Sequence, residues 1–413
     1  MRLLMLLGSG ISQSSGIPNV TTITKRLIDG DWWRHTDGTY LEGPSPQQPV
    51  CSGYQFVRSV KRLMKVVKVY ADYYHLLRRG NTANYEDIAC LIQQIYDEVM
   101  GEIDNPAVST FVCKARSDYE GYILGDLKSG QLDEWKLREE KEVFSDPTNQ
   151  QWKFDLISRE TLNFIRYAVA SCIAGQDIVP TGLDLISDLA KDDEIKRLDI
   201  FTLNHDCLVE RQLQDVEFSD GFSDRDGSIR FYAPQVYNRS EPKTRIFKLH
   251  GSVDWSYLRD FECQHNVFQY GICLPDGGHF PTDSSQNRWE RCPKTPVILA
   301  GTYTKMLEYG FGIVAEMHCR FHQALQEHDC MVMSGYGWND RGINGRLFEW
   351  LCSSRENRLF LLHREPEKLK KSKSALWHKY DELVMAGRVV PIEKRFQYVS
   401  LEELLTAIQK PAP

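Results

Sequence analysis

Six short apolar runs constrain this chain more than any other feature. Leu3 to Leu7, Leu198 to Leu203, Arg245 to Leu249, Pro296 to Ala300, Cys330 to Ser334 and Arg358 to Leu362 are five or six residues long and read as buried strands. Their apolar character is continuous rather than alternating, so both faces of each strand are expected to be covered, as in a parallel sheet with helices on either side. Most of the runs lead through turn residues into a longer amphipathic stretch, the alternation of an α/β fold. A last strand is expected at Val389 to Ile392, before a helix opening at Ser400.

Between the first and second runs the apolar period changes. From Tyr54 to Arg79 the residues Phe56, Val60, Leu63, Val67, Tyr70, Tyr74 and Leu77 recur at steps of three and four, which describes one helical face. Asn84 is placed to cap a second helix carrying Ile88, Leu91, Ile92, Ile95 and Val99, and Trp152 to Ile173 reads as a third. A polar stretch between Gly101 and Gln151 is expected to be mobile. The chain of 413 residues is thus expected to form an α/β domain from residues 1–48 and 181–413, interrupted after its first βα unit by a helical insertion over 49–180.

Charge and cysteine usage narrow the setting. A formal net charge of −7 offers no footprint for wrapping nucleic acid, so direct nucleic-acid binding is not expected. The opening MRLLMLL is too short to span a bilayer and lacks a secretory cleavage pattern, and no later apolar run is long enough, so no membrane span is expected. The eleven cysteines are scattered singly without a disulfide framework, which points to a reducing, cytoplasmic compartment.

Several strand ends carry polar residues. The first run closes on Gly8-Ser9-Gly10, where backbone N–H groups free of a β-carbon can approach a pyrophosphate. The spacing departs from the dinucleotide fingerprint, because Gln13 stands where a third glycine belongs and Gly16 comes later; a tight strand-to-helix turn explains the two glycines equally well. Asn204, His205 and Asp206 follow the second run, His250, Gly251 and Ser252 the third, and Gly335 to Asp340 the fifth. In a doubly wound sheet these ends share one edge, where ligands bind. Each residue also has a plainer reading: Asn204 as a helix cap, His250 as a hydrogen-bonded structural histidine, and Asn339 and Asp340 as the start of the next helix. His205 reads as structural. His318 and His322 share a helical face but lack the glutamate of a His-Glu-x-x-His zinc site, so core or surface placement is the expectation for them.

The motif Gly-Ser-Gly-Ile-Ser-x-x-Ser-Gly-Ile-Pro at 8 to 18, Leu-Asn-His-Asp at 203 to 206 and His-Gly-Ser at 250 to 252 resemble, in order and context, the motifs of the sirtuins. Two departures stand beside the matches. Asn19-Val20-Thr21 replaces the phenylalanine-arginine that usually follows the proline, and no Cys-x-x-Cys pair follows His250. Only Cys263, Cys273 and Cys292 with His265 and His279 lie there, at spacings that do not suit a zinc module, and no metal is expected. The segment Ser334 to Asp340 with Ile343-Asn344, and the run Pro296 to Lys305, are similar to the sirtuin-like NAD hydrolases of bacterial antiphage defence.

That resemblance implies a sirtuin-like, Rossmann-type α/β sheet with a helical insertion, and an enzyme that takes NAD as substrate and cleaves it to nicotinamide and ADP-ribose. It implies catalytic roles for Asn204, which orients ribose or water, for His250 as base, and for Asp206, which holds the strand end or the ribose. It also implies an NAD site formed by Gly8, Ser9, Gly10, Ser12, Ser15, Gly16, Ile17, Gly251, Gly301, Thr302, Gly335, Tyr336, Asn339 and Asp340. The leaving group is a cationic pyridinium that departs neutral, so the bond needs no general acid, and the ordinary pKa of a free histidine side chain suits that residue type to base work. The resemblance further implies control by homo-oligomerisation or by a partner such as a hexameric translocase-type ATPase or an Argonaute-like sensor. A protein deacylase or ADP-ribosyltransferase on the same NAD site, and a non-catalytic nucleotide sensor, are the rival readings.

Overall fold

Seven strands form one parallel sheet: β1 (Arg2–Leu7), β2 (Arg197–Thr202), β3 (Phe218–Ser219), β4 (Thr244–Lys248), β5 (Cys330–Ser334), β6 (Arg358–Leu362) and β7 (Val389–Ile392). They lie in the order β7-β6-β5-β1-β2-β4-β3, and every neighbouring pair is parallel. The computed structural model describes the chain except for residues 36–37, 44–51, 79–81, 104, 129–149, 176–177, 224–228, 261–266, 274–288, 292–294, 373 and 411–413.

The chain divides into two compact units, one made of Met1–Asn19, Cys172–Leu299 and Met306–Pro413, the other of Val20–Ser171 and Ala300–Lys305. The first unit holds the seven-stranded sheet. Side chains alternate along β1, so Leu4 and Leu6 enter the core on one face while Leu3, Met5 and Leu7 enter the core on the other. The helices Gly312–Glu327 and Arg341–Ser353 cover the first face with Met317, Phe321, Leu347 and Leu351. The helices Asp184–Lys191 and Leu401–Gln409 cover the second with Ile186, Leu189 and Leu404. Both faces are therefore dry, which is why the strands read as unbroken apolar runs. The helix expected at Ser400 opens there, with the Ser400 hydroxyl accepting from the Glu403 amide.

The sheet changes its direction of growth at β1. From β1 the chain adds β2 and then β4 on one side, returns to place β5 against the other side of β1, and continues outward to β6 and β7. Open α/β sheets bind ligands in the crevice beyond the carboxyl ends at such a reversal.

The expected strand at Pro296 to Ala300 does not join this sheet. Among its residues only Ile298 forms an isolated bridge, to Gly251. Pro296 has no N–H to give a ladder, and Gly251 sits at φ 78°, outside the range from which a strand continues. A second, antiparallel sheet in this unit, Trp289–Arg291, Trp255–Asp260, Phe268–Cys273 and Ile229–Phe231, was not expected from the sequence. Cys263, His265, His279 and Cys292 lie outside the described residues.

The second unit is mainly helical: Val20–Asp29, Ser52–Arg78, Tyr85–Met100, Pro106–Lys128 and Gln150–Ser171, the last being most of a helix that runs on to Ile173. It starts earlier than the expected insertion of 49–180, because Val20–Asp29 and the hairpin Trp32–Arg34/Tyr40–Glu42 pack with its helices. The Tyr85 amide donates to Thr24 Oγ1 at 2.8 Å, and the Trp32 and Tyr40 rings meet Phe164 edge-on. Asn84 caps its helix as expected, reciprocally with Asp87. In Ser52–Arg78 the buried seam runs through Val60, Leu63, Val67, Ala71 and His75, whereas Tyr74 and Leu77 are exposed. The seam drifts with the 3.6-residue turn and ends on a polar contact, His75 Nε2 to Asp87 Oδ1 at 3.2 Å. The helix Pro106–Lys128 occupies much of the polar stretch that was expected to be mobile; residues 129–149 of that stretch lie outside the described residues.

Candidate active site

The loop after β1 and the loop after β5 interlock through their backbones. The Gly8 amide donates to the Ser334 carbonyl and the Gly10 amide to the Gly335 carbonyl, each at 2.9 Å. A β-carbon on Gly8 would stand 2.6 Å from the Gly335 oxygen, and one on Gly335, at φ 69°, would stand 2.5 Å from the Gly8 oxygen. The glycines are thus required for close approach of two backbones. This corrects the expectation that the Gly8 and Gly10 N–H groups are free for a pyrophosphate: both are used within the protein. Ser9 and Gly10 are nevertheless exposed at the rim.

Buried polar residues from the β1 and β2 ends meet beneath that loop. Ser12 Oγ donates to Asp206 Oδ2 at 2.9 Å and accepts from Asn204 Nδ2 at 3.0 Å, while Asn204 Nδ2 also lies 3.3 Å from the Gly8 carbonyl. Asp206 Oδ1 accepts from the Leu208 amide at 3.1 Å, and the helix Leu208–Gln212 that follows starts from Cys207, so the capping role weighed for Asn204 is not one it plays. Asn204 is 4% exposed and its Oδ1 finds no hydrogen-bond partner among the described residues. An unsatisfied buried acceptor is costly, so this oxygen is suited to receive a donor from a ligand or water.

His250 follows β4, and its ring centroid lies 6.2 Å from that of His205, which brings the β2 and β4 ends together. His250 Nε2 is 3.1 Å from the Tyr309 hydroxyl and 3.2 Å from Asp340 Oδ2, and the Tyr309 hydroxyl itself donates to Asp340 Oδ2. Asp340 also caps the helix Arg341–Ser353, its Oδ1 accepting from the Ile343 amide at 3.0 Å. Burial works to raise the Asp340 pKa, but His250, Tyr309 and this amide outweigh it and hold the carboxyl well below its usual range. Burial and the neighbouring Asp340 push the Tyr309 hydroxyl upward, so it stays protonated as a donor. His318 stacks on Tyr309 and lies 3.1 Å from the Leu249 carbonyl; burial, then His250, pulls it down to about 3, so it is neutral. His322 is exposed and bonds Gln326.

Local geometry fixes the surrounding loops. A β-carbon on Gly251 would stand 2.0 Å from the Val297 carbonyl, and Ser252 N donates to that carbonyl at 2.9 Å. Trp338 is held at φ 57°, with Asn344 Nδ2 donating to its carbonyl at 2.7 Å, and the Tyr336 hydroxyl donates to Asn344 Oδ1 at 2.8 Å. A bulky residue in the left-handed region costs roughly 1–2 kcal/mol and persists only where its surroundings impose it. Asn339 is exposed. Ser15 Oγ accepts from the Thr181 amide, Gly16 turns the chain at φ 80°, and Ile17 packs on the sheet core. Gly301 and Thr302 belong to the second unit.

Two side chains that the sequence reading did not single out support the site. Tyr309 is one. The other is Lys248, fully enclosed at the end of β4, whose Nζ donates to the Asp206 carbonyl at 2.6 Å and Ser252 Oγ at 2.8 Å and pairs with Glu210 at 2.9 Å. Burial opposes its charge, but Cys207, Glu210 and Asp254 outweigh that and raise its pKa. It therefore ties the loop bearing Asn204 to the loop bearing His250. A lysine at the end of an apolar run was the available signal for it; Tyr309 had none.

The sequence matches no family model and no curated protein. Among solved structures, the chain is similar to a Sir2 homolog crystallised with NAD, at 12% identity and TM-score 0.37, over 98% of this chain and 89% of that one. It is also similar to a mutant Sir2 homologue in complex with ADP-ribose, at 12% identity and TM-score 0.36, over 99% and 92%.

Proposed function

We propose that this chain is an NAD glycohydrolase, cleaving NAD to nicotinamide and ADP-ribose with NAD as its substrate. The observation that carries the reading is the buried His250–Asp340 pair, set with the unsatisfied Asn204 oxygen among strand ends at the sheet reversal. The motif resemblance supplies the substrate class.

In this reading the C1′–N bond breaks with its electron pair going to the nicotinamide nitrogen, and water attacks C1′. Asn204 Oδ1 accepts a hydrogen bond from the water or a ribose hydroxyl and fixes its position. His250 takes the proton released as the new C1′–O bond forms, and the Asp340 carboxylate stabilises the resulting imidazolium. Ser12 and Asp206 hold the Asn204 amide from behind. The Tyr309 hydroxyl, donating to Asp340, accepts from His250 Nε2, which leaves Nδ1 as the nitrogen that takes the proton.

We further propose that the chain is the NAD-depleting effector of an antiphage system, acting in the cytoplasm under control of self-association or of a neighbouring ATPase or sensor subunit. No helix among the described residues is long and apolar enough to cross a membrane. The test is incubation of NAD with the purified chain and no acylated peptide. Equimolar nicotinamide and ADP-ribose supports hydrolysis; release only with an acyl-lysine peptide overturns it in favour of deacylation, and binding without turnover in favour of a sensor.

A further inference from the structure

A cavity of about 440 Å³ lies at the amino-terminal edge of the seven-stranded sheet, opposite the edge that carries His250. Lys196 and Arg197 at the start of β2, Lys243 and Arg245 at the start of β4, Arg239 and Arg320 line it, against the single acid Glu327. Ligand pockets commonly measure roughly 300–1,000 Å³.

Three of the six cations are matched. Arg245 meets Asp199 through two bonds of 2.6 and 2.7 Å, Arg197 pairs with Asp199 at 2.9 Å and Glu327 at 2.8 Å, and Arg320 pairs with Glu316 at 2.8 Å. The other three are not. Lys196 Nζ donates to the Asp193 carbonyl and Lys243 Nζ to the Asp192 carbonyl, Arg239 is exposed, and no carboxylate among the described residues pairs with any of them.

Three uncompensated positive charges around one concavity repel one another, and this on a chain whose net charge is −7. The carboxyl end of the helix Gly312–Glu327 adds only about half a negative charge at the same cavity, which the three cations outweigh. A linear array of phosphates brings about three or more negative charges and accepts from lysine and arginine together. We propose that this cavity binds a ligand carrying a di- or triphosphate, at a site separate from the one around His250 and independent of the reaction proposed there.

Calorimetry of the full chain with inorganic tripolyphosphate, and with orthophosphate at matched ionic strength, tests this. Saturable one-to-one tripolyphosphate binding is expected, at least about tenfold tighter than orthophosphate. The double variant Lys196→Ala/Lys243→Ala removes exposed or half-buried side chains and should melt like the wild type, yet bind at least about tenfold more weakly. Lys368→Ala, an exposed lysine elsewhere, should bind like the wild type. No saturable heat, equal affinity in the double variant, or an equal loss in Lys368→Ala would each overturn the proposal.

Discussion

Replacing Asp340 by asparagine tests the electrostatics around His250 with little change of shape. Asparagine is as good a helix cap as aspartate, so the bond from the Ile343 amide at 3.0 Å survives. What is lost is the negative charge facing His250 Nε2 at 3.2 Å and accepting from Tyr309. The two side chains are 5% and 10% exposed, so solvent screens them little. Hydrogen bonds to a charged group contribute about 1.5–3 kcal/mol each, and a neutral amide keeps part of the two that Asp340 accepts from His250 and Tyr309, so the net loss is about 2–3 kcal/mol. The carboxyl is held below its usual 3.8 in the folded chain, so its contribution is fully present above about pH 4 and fades as pH falls below that. Urea unfolding of wild type and Asp340→Asn should therefore differ by about 2–3 kcal/mol at pH 7 and by clearly less at pH 3. A difference that is the same at both values, or absent at pH 7, would refute a charged Asp340 carboxylate held by His250 and Tyr309.

Gly8→Ala pushes a β-carbon to 2.6 Å from the Gly335 carbonyl, and because backbone lies on both sides the expected loss is about 2–3 kcal/mol by denaturant titration; a neutral result would mean the two loops yield freely. Lys248→Met leaves Glu210 buried without its partner and should cost about 3–5 kcal/mol, with Lys248→Arg recovering part of it; equal melting temperatures for Met and wild type would contradict the network. Tyr309→Phe removes a donor to the Asp340 carboxylate and an acceptor from His250 Nε2, so nicotinamide release at sub-saturating NAD should fall several-fold, whereas release equal to the wild type's would leave the phenol without a part in placing His250.

Strands were legible wherever burial on both faces makes the run continuous. Expected and observed limits of β1, β2 and β4 agree within one residue, and those of β5, β6 and β7 coincide. The antiparallel sheet escaped because strands such as Trp255–Asp260 mix Trp, Ser, Tyr, Leu, Arg and Asp over six residues, too short and too polar to show a period. In Pro106–Lys128 the seam of Val112, Ala115 and Tyr119 is narrow and the rest of its described surface is mostly polar, which hid a helix in a stretch that reads as loop. At the site, Asn204, Asp206 and His250 could be found because each stands at the end of an apolar run. Their pairings could not, since Ser12 meets Asp206 across 194 residues and Tyr309 meets His250 across 59. Asp340 was legible as a residue beyond a strand end, but its pairing with His250 depends on β5 returning beside β1, a matter of topology rather than of local sequence.

Nicotinamide release from NAD by purified wild type, Asn204→Ala and His250→Ala, measured side by side by chromatography, decides whether these residues carry out hydrolysis. Nicotinamide and ADP-ribose in equal amounts are expected from the wild type, with a loss of at least about a hundredfold in each variant, while all three unfold cooperatively. Undiminished release from His250→Ala, or NAD left intact by the wild type, would contradict that role.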